Sequence, residues 1–570
     1  MNRTSRRERE ERVDLIPPPA GTGAPSDASA DALAAAPLLN CLLREAAEPL
    51  SPEPLSAESL SPEPLSPEPL SPGGGAGKRF TYRLLGTGRQ LRVRGARRPA
   101  RPEVRTNGQW QPLTHTGLVD LVAEELTRLT GRANAGLPAE MRDSRAVVAA
   151  LLAARADAEP PRDPYLLSEQ SLLTGHPHHP APKARGGGPA SGWLPYAPEA
   201  YARFPLTLLG LREDAVVEEG DTSALDALGA AAPPGYRPLP AHPWQLALLG
   251  DRLAPAFADG RLIRLGTTPF EVWPTAAIRT VYVPEGDGSG SDGDGAGSGG
   301  DESRSEGGGS RSEGGRSGAD LFLKFSLDVR ITNDIRRLWR HDLLRLRRTD
   351  SAVTAAFAAP GAPGGWLGDL GYRTADFAFE ELAVLSRAGL RAQLPPGTTP
   401  YLAAALVEGF PGSPLAAATD PGRWWEAYLA AVVPPALAAF ADHGVVLEAH
   451  LQNAVVVCAA DGTPVRTLYR DAEGVKLVAE VGRAAGWERL VYCLVVNHLL
   501  EVAGALAEQR PGFDPWPAVR RELSRHAAVP EIPALLAAPT LPGKTNLLLR
   551  WTGADGADAR YRPLPNPLRG

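Results

Sequence analysis

Four stretches of this sequence gather side chains that move protons and hold anions. The first is GHPHHPAPKAR, residues 175–185, which packs three histidines, three prolines, a lysine and an arginine into eleven positions. His176, His178 and His179 lie too close, with prolines between, to surround one metal easily, and no cysteine or carboxylate lies in the run, so zinc is disfavoured. A proline-stiffened surface loop is one reading. The other is a preorganised loop that aims Lys183 and Arg185 at carboxylates, because arginine suits bidentate recognition and lysine supplies a point charge. PLPAHPWQ, 238–245, sets a further histidine between prolines; here a loop anchored by Trp244 is favoured over a catalytic His242.

The second stretch is split. AAIRTVYV carries Arg279 and Thr280, LFLKFSLDVRI carries Lys324, and a Gly/Ser/Asp-rich insertion over 285–320 separates them. Both flanks alternate with period two, as half-buried strands do. They predict one hairpin with a long inserted loop, which is tolerable because closure cost grows only logarithmically with length. The hairpin brings Arg279 and Lys324 to one site. The insertion lacks EF-hand spacing and a closing glutamate, so calcium is disfavoured.

The third stretch, ITNDIRR at 331–337, offers Thr332, Asn333 and Arg336 within one turn of chain. It reads as a phosphate clamp, since phosphoryl or nucleotidyl transfer requires oxyanion charge to be neutralised. It also reads as a solvated basic helix, since RRLWRHDLLRLRR continues the charge. The fourth, HGVVLEAHLQNAVVV at 443–457, places Glu448, His450 and Gln452 at i, i+2 and i+4, one face of a strand. YRDAEG then puts Asp471 at a strand end or turn. Apolar strands that carry such residues at their ends mark a site, because buried polar groups are costly; a core histidine is the alternative.

These residues need a scaffold. Helical spacing marks 117–131, SRAVVAALLAARADA and ERLVYCLVVNHLLEVAGALAEQ, the last long and largely buried. RWWEAYLAAVVPPALAAFADHG reads as a helix pair interrupted at Pro434 and Pro435, and VVLEA and NAVVVC as short strands around a turn. Strands and helices mix without regular βαβ alternation, so the expected class is α+β. Residues 1–78 read as a disordered tail, since SPEPLSAESLSPEPLSPEPL repeats with period five and proline at that density blocks helix and central strand.

The bulk composition narrows the function. The net charge is −6, with 60 basic and 66 acidic residues, so the basic footprint of a nucleic-acid binder is missing. Three cysteines, Cys41, Cys458 and Cys493, form no CxxC pair, which disfavours a zinc ribbon or disulfide framework. No run of 18 apolar residues and no signal-like N-terminus appears, so a cytoplasmic location without a membrane span is expected. GDGSG and GGGAGK lack phosphate-loop spacing.

In chain order, GHPHHPAPKAR, YAPE, AHPWQ, IRT, LKFSLDVRITNDIRR, EAHLQN and YRD, across about 175–475, resemble the siderophore synthetases that are independent of nonribosomal peptide synthetases, the aerobactin-synthetase-like family. The resemblance implies a thumb, fingers and distantly kinase-like palm: 79–165 a thumb-like helical region, 166–355 fingers, and 356–570 palm. It implies an ATP-dependent ligase that activates a polycarboxylate, commonly citrate, as an acyl-adenylate and condenses it with an amine or hydroxyl. Arg279, Thr280, Lys324, Arg336, His450, Gln452 and Asp471 would contact ATP. Glu448 and Asp471 would hold Mg2+, and His176, His179, Lys183, Arg185, Thr332 and Asn333 would bind carboxylates, with His176, Lys183, Arg336 and His450 catalytic. A homodimer is a family-based expectation. Ala277 stands where the family usually has serine, removing one hydroxyl. Two alternatives stay open: a small-molecule kinase of aminoglycoside-kinase type, though a kinase would want an aspartate base where Glu448 or His450 stands, and a non-catalytic ATP- or carboxylate-binding paralogue.

Overall fold

The computed structural model describes residues 27–50, 78–186, 188–285, 319–332, 334–554 and 561–569. Asn333, most of the 285–320 insertion, and the proline repeat lie outside the described residues.

The N-terminal region corrects one expectation. Within the span read as a tail, DASADALAAAPLLNCLLRE folds as the helix Asp27–Glu45, with Leu38, Leu39, Cys41 and Leu42 fully buried. The strand Ala47–Pro49 follows and pairs with Arg79–Leu84. The neighbouring proline repeat drew the boundary too late, while the apolar face of residues 30–42 provides burial enough to order the segment. A five-stranded antiparallel sheet over 47–112 supports this helix together with His115–Thr130 and Gly136–Ala156. The 79–165 segment is therefore sheet and helix, not helix alone. Thr114 caps the 115–130 helix through its hydroxyl, and Gly131 ends it in the left-handed region.

A six-stranded antiparallel sheet forms the middle. Its order is Trp273–Pro274, Thr280–Val283, Leu321–Phe325, Val384–Ala388, Asp369–Ala375 and Val216–Gly220. Thr280–Val283 and Leu321–Phe325 are the expected hairpin, in register Thr280 to Lys324. They differ from a half-buried pair: every residue of both is buried. One face lies on the apolar cluster of Val281, Leu323 and Val384; the other meets the C-terminal half. Two of the six strands come from beyond residue 355, and the helix Arg340–Ala358 crosses that point with Leu343, Leu346 and Val353 in the C-terminal core. Residue 355 is thus no division between packed units.

The C-terminal half packs a four-stranded sheet (Gly365–Leu367, Pro464–Arg470, Ala454–Cys458, Thr399–Leu402) against long helices. Pro421–His443 is one helix, not two, capped by Asp420 and closed by Gly444. Pro435 is buried, and Tyr469 donates its hydroxyl to the Val432 carbonyl at 2.8 Å. Packing on both sides outweighs the missing proline N–H groups. This helix and Arg483–Gln509 are long and apolar enough to cross a membrane, but 67% and 83% of their apolar windows are buried inside the molecule, as in core helices. The helix Asn546–Thr552 returns to the N-terminal core through Leu547 and Trp551.

Candidate active site

The hairpin and the YRDAEG turn meet across the two large sheets. Lys324 Nζ donates to Asp471 Oδ1 and to Glu473 Oε2, both at 2.6 Å. Arg279 donates to Glu473 Oε2 at 3.0 Å and to the carbonyls of Arg336 and Arg337. Arg387, on the next strand, bridges Asp369 at 2.6 Å and Asp471 at 3.2 Å. Lys324, Arg279 and Arg387 are buried, whereas the Asp471 and Glu473 side chains keep about a quarter of their surface open. Lys324, followed by Arg387, holds Asp471 below the usual carboxylate range against the pull of burial, and Lys324 with Arg279 does the same for Glu473.

Three residues here have left-handed backbone: Ile278 (φ 59°), Thr332 (φ 60°) and Asp471 (φ 81°). For β-branched Ile and Thr this is a true outlier. Such strain persists only where the surroundings over-determine it, and it clusters at functional sites. Ile278 precedes Arg279, and Thr332 sits between the paired residues Ile331 and Asp334. ITNDIRR is therefore a tight hairpin, not a basic helix; the helix begins at Arg340. Arg336 donates to the Thr332 hydroxyl at 2.5 Å, and burial with neighbouring Arg279 pushes its guanidinium down to about 10. Thr280 is buried in its strand, with its carbonyl accepting from Thr275. Ala277 brings no hydroxyl; its carbonyl accepts from Arg279 N at 2.7 Å.

Glu448, His450 and Gln452 do not share a strand face. Residues 447–450 are irregular, and Leu451–Asn453 is a short 3-10 turn. His450 is three-quarters covered, and Asn453 Nδ2 donates to its Nε2 at 3.4 Å. Burial lowers its basicity, so it is a neutral imidazole with Nε2 as acceptor. His498 fixes the preceding residue: its Nδ1 donates to the Ala449 carbonyl at 2.8 Å while Tyr428 donates to its Nε2 at 2.6 Å. His498 lies in the buried π-helical segment Val491–Leu499; π-bulges often mark functional sites. Gln452 has an exposed side chain, and its carbonyl accepts from Arg470.

Glu448 is engaged elsewhere than expected. One carboxylate oxygen is bound by Arg489, and the carboxylate lies so close to Gly474 that a Cβ there would collide with it. It therefore does not fit a metal-ligand role. Asp471 and Glu473 are hard oxygen donors at the cleft and fit Mg2+.

The GHPHHPAPKAR loop is divided. His176 is solvent-accessible yet enclosed by protein, and that enclosure, with His178, His179 and His450 close by, keeps it neutral. Its Nδ1 accepts from His178 N at 3.0 Å, which places its proton on Nε2. His179 is buried and caps Ala181 N in the same way. Lys183 and Arg185 do not point free charge at the cleft. Both are buried, and Glu199 Oε1 accepts from Lys183 Nζ at 2.5 Å and from Arg185 at 3.1 Å. Buried cations need a carboxylate, and YAPE supplies it. His242 is buried, caps Trp244 N, and is pushed by burial to about 3, as the structural reading expects. Glu169, Asp369, Arg387, Glu473 and His498 were not singled out from sequence. Glu473 alone had a local signal, two residues after Asp471; the others lie in apolar strands and helices.

Residues 164–289 match the profile of the IucA / IucC family, and 422–559 match that of the ferric iron reductase FhuF-like transporter. The L-2,3-diaminopropanoate–citrate ligase of Staphylococcus aureus is 26% identical over 71% of this chain and 75% of its own. The rhizobactin siderophore biosynthesis protein RhbC of Rhizobium meliloti is 28% identical over the same shares. The fold matches that of ATP-bound aerobactin synthetase IucA from Klebsiella pneumoniae, with a TM-score of 0.70 over 94% of this chain and 99% of that one, at 19% identity. The molecule shares the fold of that solved synthetase. More narrowly, residues 164–289 of this chain carry the IucA / IucC family profile.

Proposed function

We propose that the protein is an ATP-dependent siderophore synthetase. It activates a polycarboxylate, citrate or a citrate derivative, as an acyl-adenylate and condenses it with an amine or hydroxyl, releasing AMP and pyrophosphate in the cytoplasm, where ATP is supplied. The observation that carries this reading is the convergence of Lys324 and Arg279 with Asp471 and Glu473 beside a neutral His450, in a chain whose relatives include a citrate ligase.

In the first step a carboxylate oxygen attacks the α-phosphorus, the bond to the bridging oxygen breaks, and pyrophosphate leaves with the electron pair. Arg279 and Lys324 exchange their carboxylate partners for phosphate oxygens, because both anions require cations in a partly desolvated cleft. Thr280 fixes the strand that aims Arg279, and Gln452 reaches the nucleotide from the opposite wall. Asp471 and Glu473 would hold Mg2+, which supplies charge neutralisation at the departing pyrophosphate. The acid lies against Arg336, the Thr332 hydroxyl and the Nε2–H of His176. In the second step the nucleophile attacks the acyl carbon, the bond to AMP breaks, and the nucleophile's proton passes to Nε2 of His450. Lys183 and Arg185, bound to Glu199, hold the loop that presents His176.

With citrate, ATP, Mg2+ and hydroxylamine, the protein should form a hydroxamate and release pyrophosphate. ADP in place of pyrophosphate identifies a kinase, and no product with any polycarboxylate identifies a non-catalytic binder.

A further inference from the structure

Ser168, Glu169 and Gln170 are consecutive polar residues with no exposed surface. They end the short helix Pro164–Gln170, which Asp163 caps by accepting from Leu166 N at 3.0 Å. Burying polar groups is costly unless they are paired, and each of the three finds a partner far along the chain. Ser168 Oγ accepts from Leu402 N at 2.9 Å, and Gln170 Nε2 donates to the Pro274 carbonyl at 3.0 Å. Glu169 makes the most contacts. Its Oε1 accepts from Arg470 at 2.6 Å and from the Tyr165 hydroxyl at 2.7 Å. Its Oε2 accepts from Ala276 N at 3.0 Å and from Arg470 at 3.3 Å. Arg470 in turn donates from Nε and Nη2 to the Gln452 carbonyl, at 3.2 and 2.9 Å.

Two side chains thus tie together residues 276, 452 and 470, and each of these stands beside part of the candidate nucleotide site. Ala276 opens the turn in which Ile278 is left-handed and Arg279 follows. Gln452 lies two residues after His450, in the 3-10 turn Leu451–Asn453. Arg470 ends the strand Pro464–Arg470, and left-handed Asp471 comes next. A buried ion pair is weak evidence of a stabilising role, since apolar residues of similar volume often serve as well. Apolar residues would not hold Ala276 N or the Gln452 carbonyl. Strained backbone persists only where its surroundings over-determine it, and Glu169 with Arg470 supplies such contacts next to both Ile278 and Asp471.

We propose that Glu169 and Arg470 are positioning residues for the adenylation step. They are 0% and 6% exposed, so they act through the three turns they join. They set the spacing between Arg279, the Asp471–Glu473 turn and His450. This rests on the synthetase reading above and adds to it the device that fixes its nucleotide wall.

Arg470→Lys tests the proposal. Lysine keeps the charge that Glu169 needs but lacks the planar fork, so it does not hold Glu169 and the Gln452 carbonyl together. In the full chain, amide exchange should rise about tenfold over 276–279, 450–453 and 471–474 together. With citrate, ATP, Mg2+ and hydroxylamine, kcat should fall about a hundredfold, the cost of a displacement of about 1 Å. Half-saturating Mg2+ should rise about tenfold, while KM for citrate changes less than about threefold. Arg373→Lys is the structural control. Arg373 is fully buried against Glu218 and Asp226, and its replacement should lower Tm without moving kcat, half-saturating Mg2+ or exchange in the three segments. The same changes in both variants would report loosened packing alone and overturn the proposal. So would unchanged exchange in these segments, or a kcat within about threefold of the unchanged chain. If circular dichroism shows Arg470→Lys unfolded, Tyr165→Phe is measured in the same way. It removes a hydroxyl that donates to Glu169 and accepts from Arg470 at 3.1 Å, and it leaves the charges paired. A kcat loss of about fivefold is then expected, the scale of one hydrogen bond, and its absence overturns the proposal. No hydroxamate from the unchanged chain sinks the synthetase reading instead, and the exchange measurement still decides whether the two residues hold the three turns.

Discussion

Two basic regions of this molecule carry buried cations, and the fold treats them differently. In the hairpin, Arg279 and Lys324 are paired with Asp471 and Glu473, whose side chains keep open surface. In the histidine loop, Lys183 and Arg185 are paired with Glu199, which is 2% exposed. The first arrangement is exchangeable: an incoming anion can replace carboxylates at the cleft edge. The second is locked, because nothing reaches it without breaking a buried trio. A cluster of positive charge in a sequence therefore does not define a binding surface; the position of its counter-ion does.

The contrast is open to direct attack. The largest effect is expected at the exchangeable site. Lys324→Met should lower kcat/KM for ATP about a thousandfold, as loss of a preorganised charge does, and pyrophosphate release measures it. A loss of tenfold or less would mean that this pair is structural like the other.

At the locked site the effect should fall on folding. Glu199→Gln leaves two buried cations with no carboxylate and should cost about 3–5 kcal/mol, read from urea unfolding. Adding Lys183→Met should recover part of that loss. If Lys183→Met instead raises KM for the acid strongly without lowering Tm, the lock is wrong and the loop binds substrate.

Acid should weaken the scaffold through buried neutral histidines. Burial holds His242 at about 3 and His115 and His498 at about 4, against an ordinary 6.5. Their folded values are lowered, so the unfolded chain takes up protons first as pH falls. Stability is full above 6.5 and declines below it, and by pH 5 each group should remove about 2 kcal/mol. His242→Asn, which keeps a helix cap, should flatten part of the decline in Tm between pH 7 and 5; an unchanged slope would show that His242 does not contribute.

The smallest effect concerns Ala277. Ala277→Ser restores a hydroxyl beside Arg279 and should lower KM for ATP about two- to fivefold, the scale of one hydrogen bond. No change would place residue 277 outside the nucleotide site.

Much of the site was readable because its chemistry is local. The hairpin followed from period-two alternation on both sides of the insertion, and Asp471 from its place after an apolar strand. What failed to read was long-range. Glu169 lies in PYLLSEQ, which has helical spacing and no sign of chemistry, yet it anchors Arg470 at 2.6 Å and Ala276 N at 3.0 Å. The helix Asp27–Glu45 was hidden by the proline repeat next to it, and its order depends on the 115–156 helices and on Leu547 and Trp551 from the far end of the chain.

Sequence by itself determined which side chains were available. The order of the motifs, the alternation of the hairpin strands and the apolar faces of the long helices follow from residue type and spacing, because periodicity is a local property. Tertiary structure decided which charges stay available to a ligand. Glu199 closes off Lys183 and Arg185, Arg489 takes Glu448, and Asp471 and Glu473 hold Lys324 at a partly open edge. Burial and ion pairing act between residues hundreds of positions apart, and only the folded chain brings them within reach.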